Sequence, residues 1–143
     1  MVCEPLPGVL DFQDALAGAI TYDLASLLRD AFISWPEEQE IDWAVRWWQA
    51  ARRAALAVPD DFGEFYRAVE WMGLQRHLKV LGIFSRLWYR DGKRGYLADL
   101  ALTLDYVRDA CARYSELQAF AHWIEARVVP ALPAANAREL ALR

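Results

Sequence analysis

The stretch that decides the fold is Gly8-Val9-Leu10-Asp11-Phe12-Gln13-Asp14-Ala15-Leu16-Ala17-Gly18, continued by Thr21-Tyr22-Asp23-Leu24-Ala25-Ser26-Leu27-Leu28. A short apolar run brings Asp11 to a strand end, a glycine-containing turn follows, and Thr21 stands where a helix cap belongs, with Asp23 in the first turn. An acid leaving a buried strand is costly unless a cation or hydrogen-bond donors meet it. Asp11 and Asp14 are hard oxygen ligands of the kind Mg²⁺ accepts when it also keeps waters and phosphates. The same spacing also suits two acids that merely cap a turn, and the residues alone leave both readings open.

Working outward, Met1 to Phe12 reads as two short strands around Glu4-Pro5-Leu6-Pro7-Gly8, a β-hairpin whose second strand carries Asp11 at its end. Two strands alone are marginal in water, so a hairpin followed only by helices implies absent partner strands. From Thr21 to about Ser34 the apolar residues recur at helical steps. Pro36, Glu37 and Glu38 suit the first turn of a second helix running to about Ala57, with Ile41, Ala44, Val45, Trp48, Ala51 and Leu56 inward and Arg46, Gln49, Arg52 and Arg53 in water. Of Trp43, Trp47 and Trp48, Trp47 is the one expected to be exposed or to dock against another part.

Pro59 breaks the chain, and Asp61-Phe62-Gly63-Glu64 has capping-box spacing. A long helix follows to about Trp88, with Gly73 and Gly82 as bend points, before Arg90-Asp91-Gly92-Lys93 turns the chain. One face gathers Phe62, Phe65, Val69, Gly73, Val80, Ile83, Phe84 and Leu87 and also contains Arg76 and His77. A buried guanidinium and imidazole need partners, so these two are either braced by an acid such as Glu70 or face a cleft. Two more amphipathic segments, Tyr96 to Ala112 and Ser115 to Val129, precede Pro130, Pro133 and a tail expected to fray. The whole reads as one mainly α domain, 1–143, with a hairpin over 1–12, helices over 21–129 and a tail over 130–143.

With 143 residues, 56% of them hydrophobic, the chain can bury a single core. Net charge of −4 and no basic stripe argue against a duplex nucleic-acid binder. No leader and no apolar run of about 18 residues occurs, so a cytoplasmic protein with no membrane span is expected. Cys3 and Cys111 stand far apart without histidines at ligand spacing, which makes zinc a poor fit.

Val9-Leu10-Asp11-Phe12-Gln13-Asp14-Ala15, then Gly18 and Tyr22-Asp23-Leu24-Ala25-Ser26-Leu27, resembles the metal-binding segment and following helix of the aminoglycoside phosphotransferase and choline kinase-like superfamily. Leu28-Arg29-Asp30-Ala31-Phe32, Asp60 to Arg67, Glu70 to Phe84 and Tyr89 to Lys93 narrow the resemblance to the bacterial cell-wall amino-sugar kinases, over roughly Val2 to Tyr114. Those enzymes phosphorylate the anomeric hydroxyl of N-acetylmuramate or N-acetylglucosamine in peptidoglycan recycling. The resemblance implies the helical part of a protein-kinase-like carboxy-terminal lobe, with ATP and Mg²⁺ as cofactors of the complete enzyme and an amino sugar as substrate. It implies Mg²⁺ binding by Asp11, with Asp14 as a further candidate, and a bracing role for Asp23 beneath the catalytic loop. It also implies that the helix of Arg76 and His77 underlies the sugar cleft, where Arg76 meets the N-acetylmuramate carboxylate.

The family's His-x-Asp catalytic loop, glycine-rich loop and nucleotide-lobe lysine have no counterpart in the sequence, so no catalytic residue is assigned. The expectation is a fragment truncated just after its catalytic loop, an internal methionine standing at its start, inactive alone and prone to self-associate through its exposed seam. The rival reading is a non-catalytic helical protein-binding module derived from a kinase, in which Asp11 is idle.

Overall fold

The computed structural model describes residues 16–141, and within them the protein is mainly helical with no strand. The expected β-hairpin over 1–12, and with it Cys3, Asp11 and Asp14, lies outside the described residues. Six α-helices follow in order: α1 (Tyr22–Leu28), α2 (Glu37–Arg53), α3 (Phe62–Asp91), α4 (Leu100–Arg113), α5 (Gln118–Trp123) and α6 (Ala131–Ala141). Helix α3 touches α1, α2, α4 and the 3₁₀ turn Arg94–Leu97, and is the axis on which the rest is laid.

Its 30 residues span about 45 Å at the helical rise. Asp61 starts it, its Oδ1 accepting from the Glu64 amide at 2.9 Å as the capping spacing predicts. Gly92 stops it at φ +66, a left-handed position that glycine takes without steric cost. Three apolar clusters sit in succession along this axis. Phe65 and Val69 pack with Leu24, Ala25 and Leu28 of α1 and Ala44 of α2. Leu74 meets Leu104, Val107 and Cys111 of α4 together with Ile124. Phe84 meets Ala31, Leu97 and Leu100. Phe65 is fully buried, so its truncation to alanine falls in the class that costs about 3–5 kcal/mol.

Several boundaries differ from the sequence reading. Helix α1 ends at Leu28 rather than near Ser34, because Asp30 Oδ1 accepts from the Phe32 amide at 2.7 Å and offers the backbone a turn in place of another helical bond. Thr21 occupies the cap position of α1, but its hydroxyl makes no capping bond. Helix α2 ends at Arg53 and not Ala57: the Leu56 amide reaches back to the Ala51 carbonyl and the Ala55 amide to that of Arg52, with Ala55 at φ +54. Leu56 is therefore carried out into solvent. Trp47, expected to be exposed or to dock against another part, is half-buried and stacks on Phe65 at 5.4 Å.

The segment Ser115–Val129 is interrupted rather than continuous. A 3₁₀ turn opens it, and a π turn over Ile124–Val128 closes it, with the Val129 amide bonding five residues back to Ile124 just before Pro130. The tail expected to fray forms α6 instead, since Pro133 sits in a first turn whose amides have no helical acceptor anyway. Side-chain bonds hold α6: Trp88 Nε1 donates to Glu139 Oε2 at 2.9 Å, and Asn136 Nδ2 to the Leu97 carbonyl at 3.0 Å.

The two expected bend points have opposite surroundings. A Cβ on Gly73 would stand 3.0 Å from Arg29 Cγ, whereas one on Gly82 would meet nothing within 4 Å. Gly82→Ala should therefore raise unfolding free energy by roughly 0.5–1 kcal/mol, helix propensity being the only thing altered. Gly73→Val should lower it by about 2 kcal/mol by forcing α1 off α3. Urea unfolding of the two variants checks both signs, and a loss at Gly82 or a gain at Gly73 contradicts the packing.

Candidate functional site

A group of charged side chains gathers where α1, α2, α3 and α4 meet. Arg29, just past α1, pairs with Glu40 of α2 at 3.0 Å and approaches Glu70 of α3 at 3.9 Å, and its Nη2 donates to the Tyr66 hydroxyl at 3.3 Å. Glu70 in turn accepts from Arg113 Nη1 at 2.8 Å and from the Tyr114 hydroxyl, both at the end of α4. Arg113 also pairs with Glu37 at 2.5 Å. The side chains of Glu40 and Glu70 are 6% and 8% exposed, so both carboxylates lie inside the protein, while the Arg113–Glu37 pair stands at the rim.

His77 completes the group. Its Nε2 donates to the Arg29 carbonyl at 3.2 Å and its ring stacks on Tyr106 at 4.8 Å. Tyr106 donates its hydroxyl to the Ile33 carbonyl at 3.1 Å. Arg29, Glu40, Glu70, His77, Tyr106 and Arg113 border a cavity of about 230 Å³ whose wall also includes Ser34, Trp35 and Asp109. Burial holds the Glu40 carboxyl above its ordinary range even against the adjacent Arg29, and burial likewise raises the Tyr66 and Tyr114 hydroxyls, the latter helped by its bond to Glu70. Burial lowers His77 to about 4, more than its bond to the Arg29 carbonyl can restore. His77 is thus a neutral donor near pH 7. The cluster joins two guanidiniums to three carboxylates and has no nucleophile beside a free base, so its chemistry is that of a brace.

The residues singled out from sequence separate into two places. Asp23 is exposed on the first turn of α1, without a hydrogen-bond or ion-pair partner among the described residues. It borders a concavity of about 700 Å³ with Leu16, Gly18, Ile20, Tyr22 and Trp47. Arg76 is brought to that side: its guanidinium lies over the Tyr22 ring at 5.1 Å, and its buried Nε has no hydrogen-bond partner among the described residues. Its neighbour His77 points the other way, into the brace. Glu70, expected to serve Arg76 or His77, serves Arg113, Tyr114 and Arg29 instead. Arg29, Glu40 and Arg113 were not signalled. Glu40 could have been, since it falls four residues before Ala44 on the buried stripe of α2. Among the described residues no group of three or more His, Cys, Asp or Glu could hold a metal ion, and no helix is long and apolar enough to cross a membrane.

Residues 2–65 match the phosphotransferase enzyme family. Over 117 residues, 82% of this chain and 35% of the relative, the chain is 59% identical to the N-acetylmuramate/N-acetylglucosamine kinase of Neisseria meningitidis serogroup B. The kinase of the same name from Pseudomonas aeruginosa is 50% identical over the same shares, and that of Caulobacter vibrioides 35% identical over 86% of this chain and 32% of the relative. These matches bear out the resemblance read from the sequence, and the chain spans about a third of the length of the curated relatives it matches. No solved structure matches the chain.

The lowered His77 pKa has a measurable consequence. Between pH 6.5 and about 4 the unfolded chain takes up a proton on this residue that the folded chain refuses, so stability falls as pH drops through that window and levels off below it. Glu40, raised by burial, works in the opposite direction, since its folded form binds a proton more readily than its unfolded form. His77→Gln should remove the first contribution, making unfolding free energy less dependent on pH between 6.5 and 4 by a few kcal/mol in total, of the order such a shift implies. An unchanged slope in chemical denaturation across that range contradicts the buried neutral assignment.

Proposed function

We propose that the chain is the helical part of an ATP-dependent sugar phosphotransferase acting on N-acetylmuramate or N-acetylglucosamine, a cytoplasmic kinase of peptidoglycan recycling. The observation that carries this is the 59% identity over 117 residues to a kinase of that name, supported by the phosphotransferase-family match over residues 2–65. Phosphoryl transfer to a hydroxyl needs a metal bridging the phosphates, a group that orients the acceptor and cationic support for the nucleotide. Mg²⁺ bound with ATP would supply charge neutralisation on the transferring group. Asp11 is our assignment for the carboxylate that holds it, with Asp14 as a further oxygen donor, both hard ligands of the right kind. Asp23 is assigned as the brace of the catalytic loop, a role in keeping with an exposed carboxylate that has no partner among the described residues.

Of Arg76 and His77, Arg76 is carried forward as the substrate contact. Its guanidinium lies over the ring of Tyr22, which borders the Asp23 concavity, and its Nε has no acceptor among the described residues. The carboxylate of N-acetylmuramate would supply one in the paired geometry that guanidinium favours. On this reading the chain alone is inactive. The rival, a non-catalytic helical module that binds another protein or itself, draws on the apolar surface beside α1 and leaves Asp11 idle.

A chimera tests this directly: the matching third of the Neisseria meningitidis kinase is replaced by this chain, and sugar-dependent ADP formation is measured with both amino sugars. Activity is expected in the chimera and none above a no-enzyme control in the isolated chain. Asp11→Ala should cut the chimera's rate by about a hundredfold or more, the scale of a lost metal ligand at a phosphoryl-transfer site. Arg76→Ala should raise KM for N-acetylmuramate and spare N-acetylglucosamine, which has no carboxylate. A folded but inactive chimera, or full activity in Asp11→Ala, favours the binding module.

A further inference from the structure

The outward side of α3 carries charge of one sign. Between Lys79 and Arg94 the chain places Lys79, Arg86, Arg90, Lys93 and Arg94, among them both of its lysines, against a single acid, Asp91. A chain of net charge −4 thus concentrates positive charge at one end of its longest helix. At about 100° per residue, Lys79, Arg86 and Arg90 fall within a sector of about 40°, on the side away from the buried His77 and Phe84. All three are exposed, and so is Lys93 just past the helix end. The row passes over Gly82, where a Cβ would meet nothing within 4 Å, so no other described element covers it there. These cations form no run in the sequence, and only the turn of the helix gathers them into a stripe that the sequence reading did not register.

Lys79, Arg86 and Lys93 make no ion pair among the described residues, and Arg90 has only its neighbour Asp91, at 2.7 Å. That pairing draws the Asp91 carboxyl below its ordinary range, with Lys93 and Arg86 adding to the pull. On one flank of the row, within about 20° of each other around the helix, stand Leu78, 38% exposed, and Tyr89, 68% exposed. We infer that this face of α3 docks on an anionic membrane surface, lying in the headgroup plane without entering the hydrocarbon. The inference is independent of the kinase reading. Charge complementarity and composition select this occupant. A row of cations along about 16 Å of helix faces the lipid phosphates, each cation strengthening binding about fivefold near such a surface. Tyr89 and Leu78 beside it reach the boundary between headgroups and acyl chains, the depth that suits an amphipathic ring and a short aliphatic chain. Among the described residues no helix is long and apolar enough to cross a bilayer, so the contact is peripheral. A single nucleic-acid strand is gripped instead in a groove with stacking platforms, and neither cavity described above is lined by any of these residues.

The test is flotation of the 143-residue chain with vesicles of phosphatidylcholine alone or with about 40% phosphatidylglycerol, at low and at high salt. Partitioning onto the anionic vesicles is expected to exceed that onto neutral ones at least about tenfold at ~50 mM salt and to fall about tenfold by ~300 mM. Arg86→Gln should weaken it about fivefold, and Lys79→Gln combined with Arg86→Gln about 25-fold. Arg86→Lys keeps the charge and should keep the binding. Tyr89→Ser should weaken binding to anionic vesicles and leave its salt dependence as it is. Arg46→Gln, which removes an exposed cation of α2, is the reference and should change nothing. Equal binding to both kinds of vesicle, no binding at low salt, or equal losses in Arg46→Gln and Arg86→Gln would overturn the inference. So would tighter binding to a single-stranded oligonucleotide than to vesicles, release by inorganic phosphate at constant ionic strength, or a salt-sensitive dimer that Arg86→Gln dissociates.

Discussion

The guanidinium of Arg29 is the point on which the arrangement of the helices depends. It leaves the end of α1, meets Glu40 of α2 and approaches Glu70 of α3, and Glu70 hands the connection on to Arg113 and Tyr114 of α4. Four helices thus converge on two buried carboxylates. Taking such ions out of water costs several kcal/mol each, and attraction within the protein offsets this only where every remaining lone pair and proton is met. Here the neighbours are met: the Tyr66 and Tyr114 hydroxyls and the Glu37 carboxylate complete the set. Gly73 is part of the same constraint, because Arg29 passes where a side chain on α3 would otherwise stand.

What this clamp fixes is the position of α1, and α1 links the chemistry-bearing features. Its inner side closes the first apolar cluster, its first turn carries Asp23 and Tyr22, and its outer side gives Leu27 to a groove lined by Trp35, Trp43 and Trp47. Arg76 reaches the same region from α3 by lying on Tyr22. The clamp itself has no free base or nucleophile, and a neutral His77 adds none. The described residues therefore divide into a rigid polar brace on one side of α1 and an apolar, partly open surface on the other.

Much of the scaffold was legible in the sequence because its signals are local. The Asp61 cap, the Gly92 stop and the spacing of Phe65, Val69 and Phe84 place α3 within three residues of its observed end. The errors arose where a side chain competes with the helix ladder or a distant contact decides. Asp30 captured a backbone amide and shortened α1, and Trp88 and Asn136 anchored a tail that composition alone would leave loose. The brace was the hardest to read. Pattern reasoning sends charges to water, while Glu40 and Glu70 are held inside by partners that lie on other elements, eleven or more residues away in sequence. Arg76 and His77 look equivalent as neighbours on one face, yet a helix turns about 100° between them, enough to send one to Tyr22 and the other to Arg29.

The most direct measurement of the central claim is a double-mutant cycle on Arg29→Met and Glu40→Gln, read as unfolding free energy in urea. Each single change strands a buried partner and should cost about 3 kcal/mol, while the double change should cost less than their sum by at least roughly 1.5 kcal/mol. Additive losses, or single changes each within about 0.5 kcal/mol of the parent as surface pairs typically are, would contradict the account.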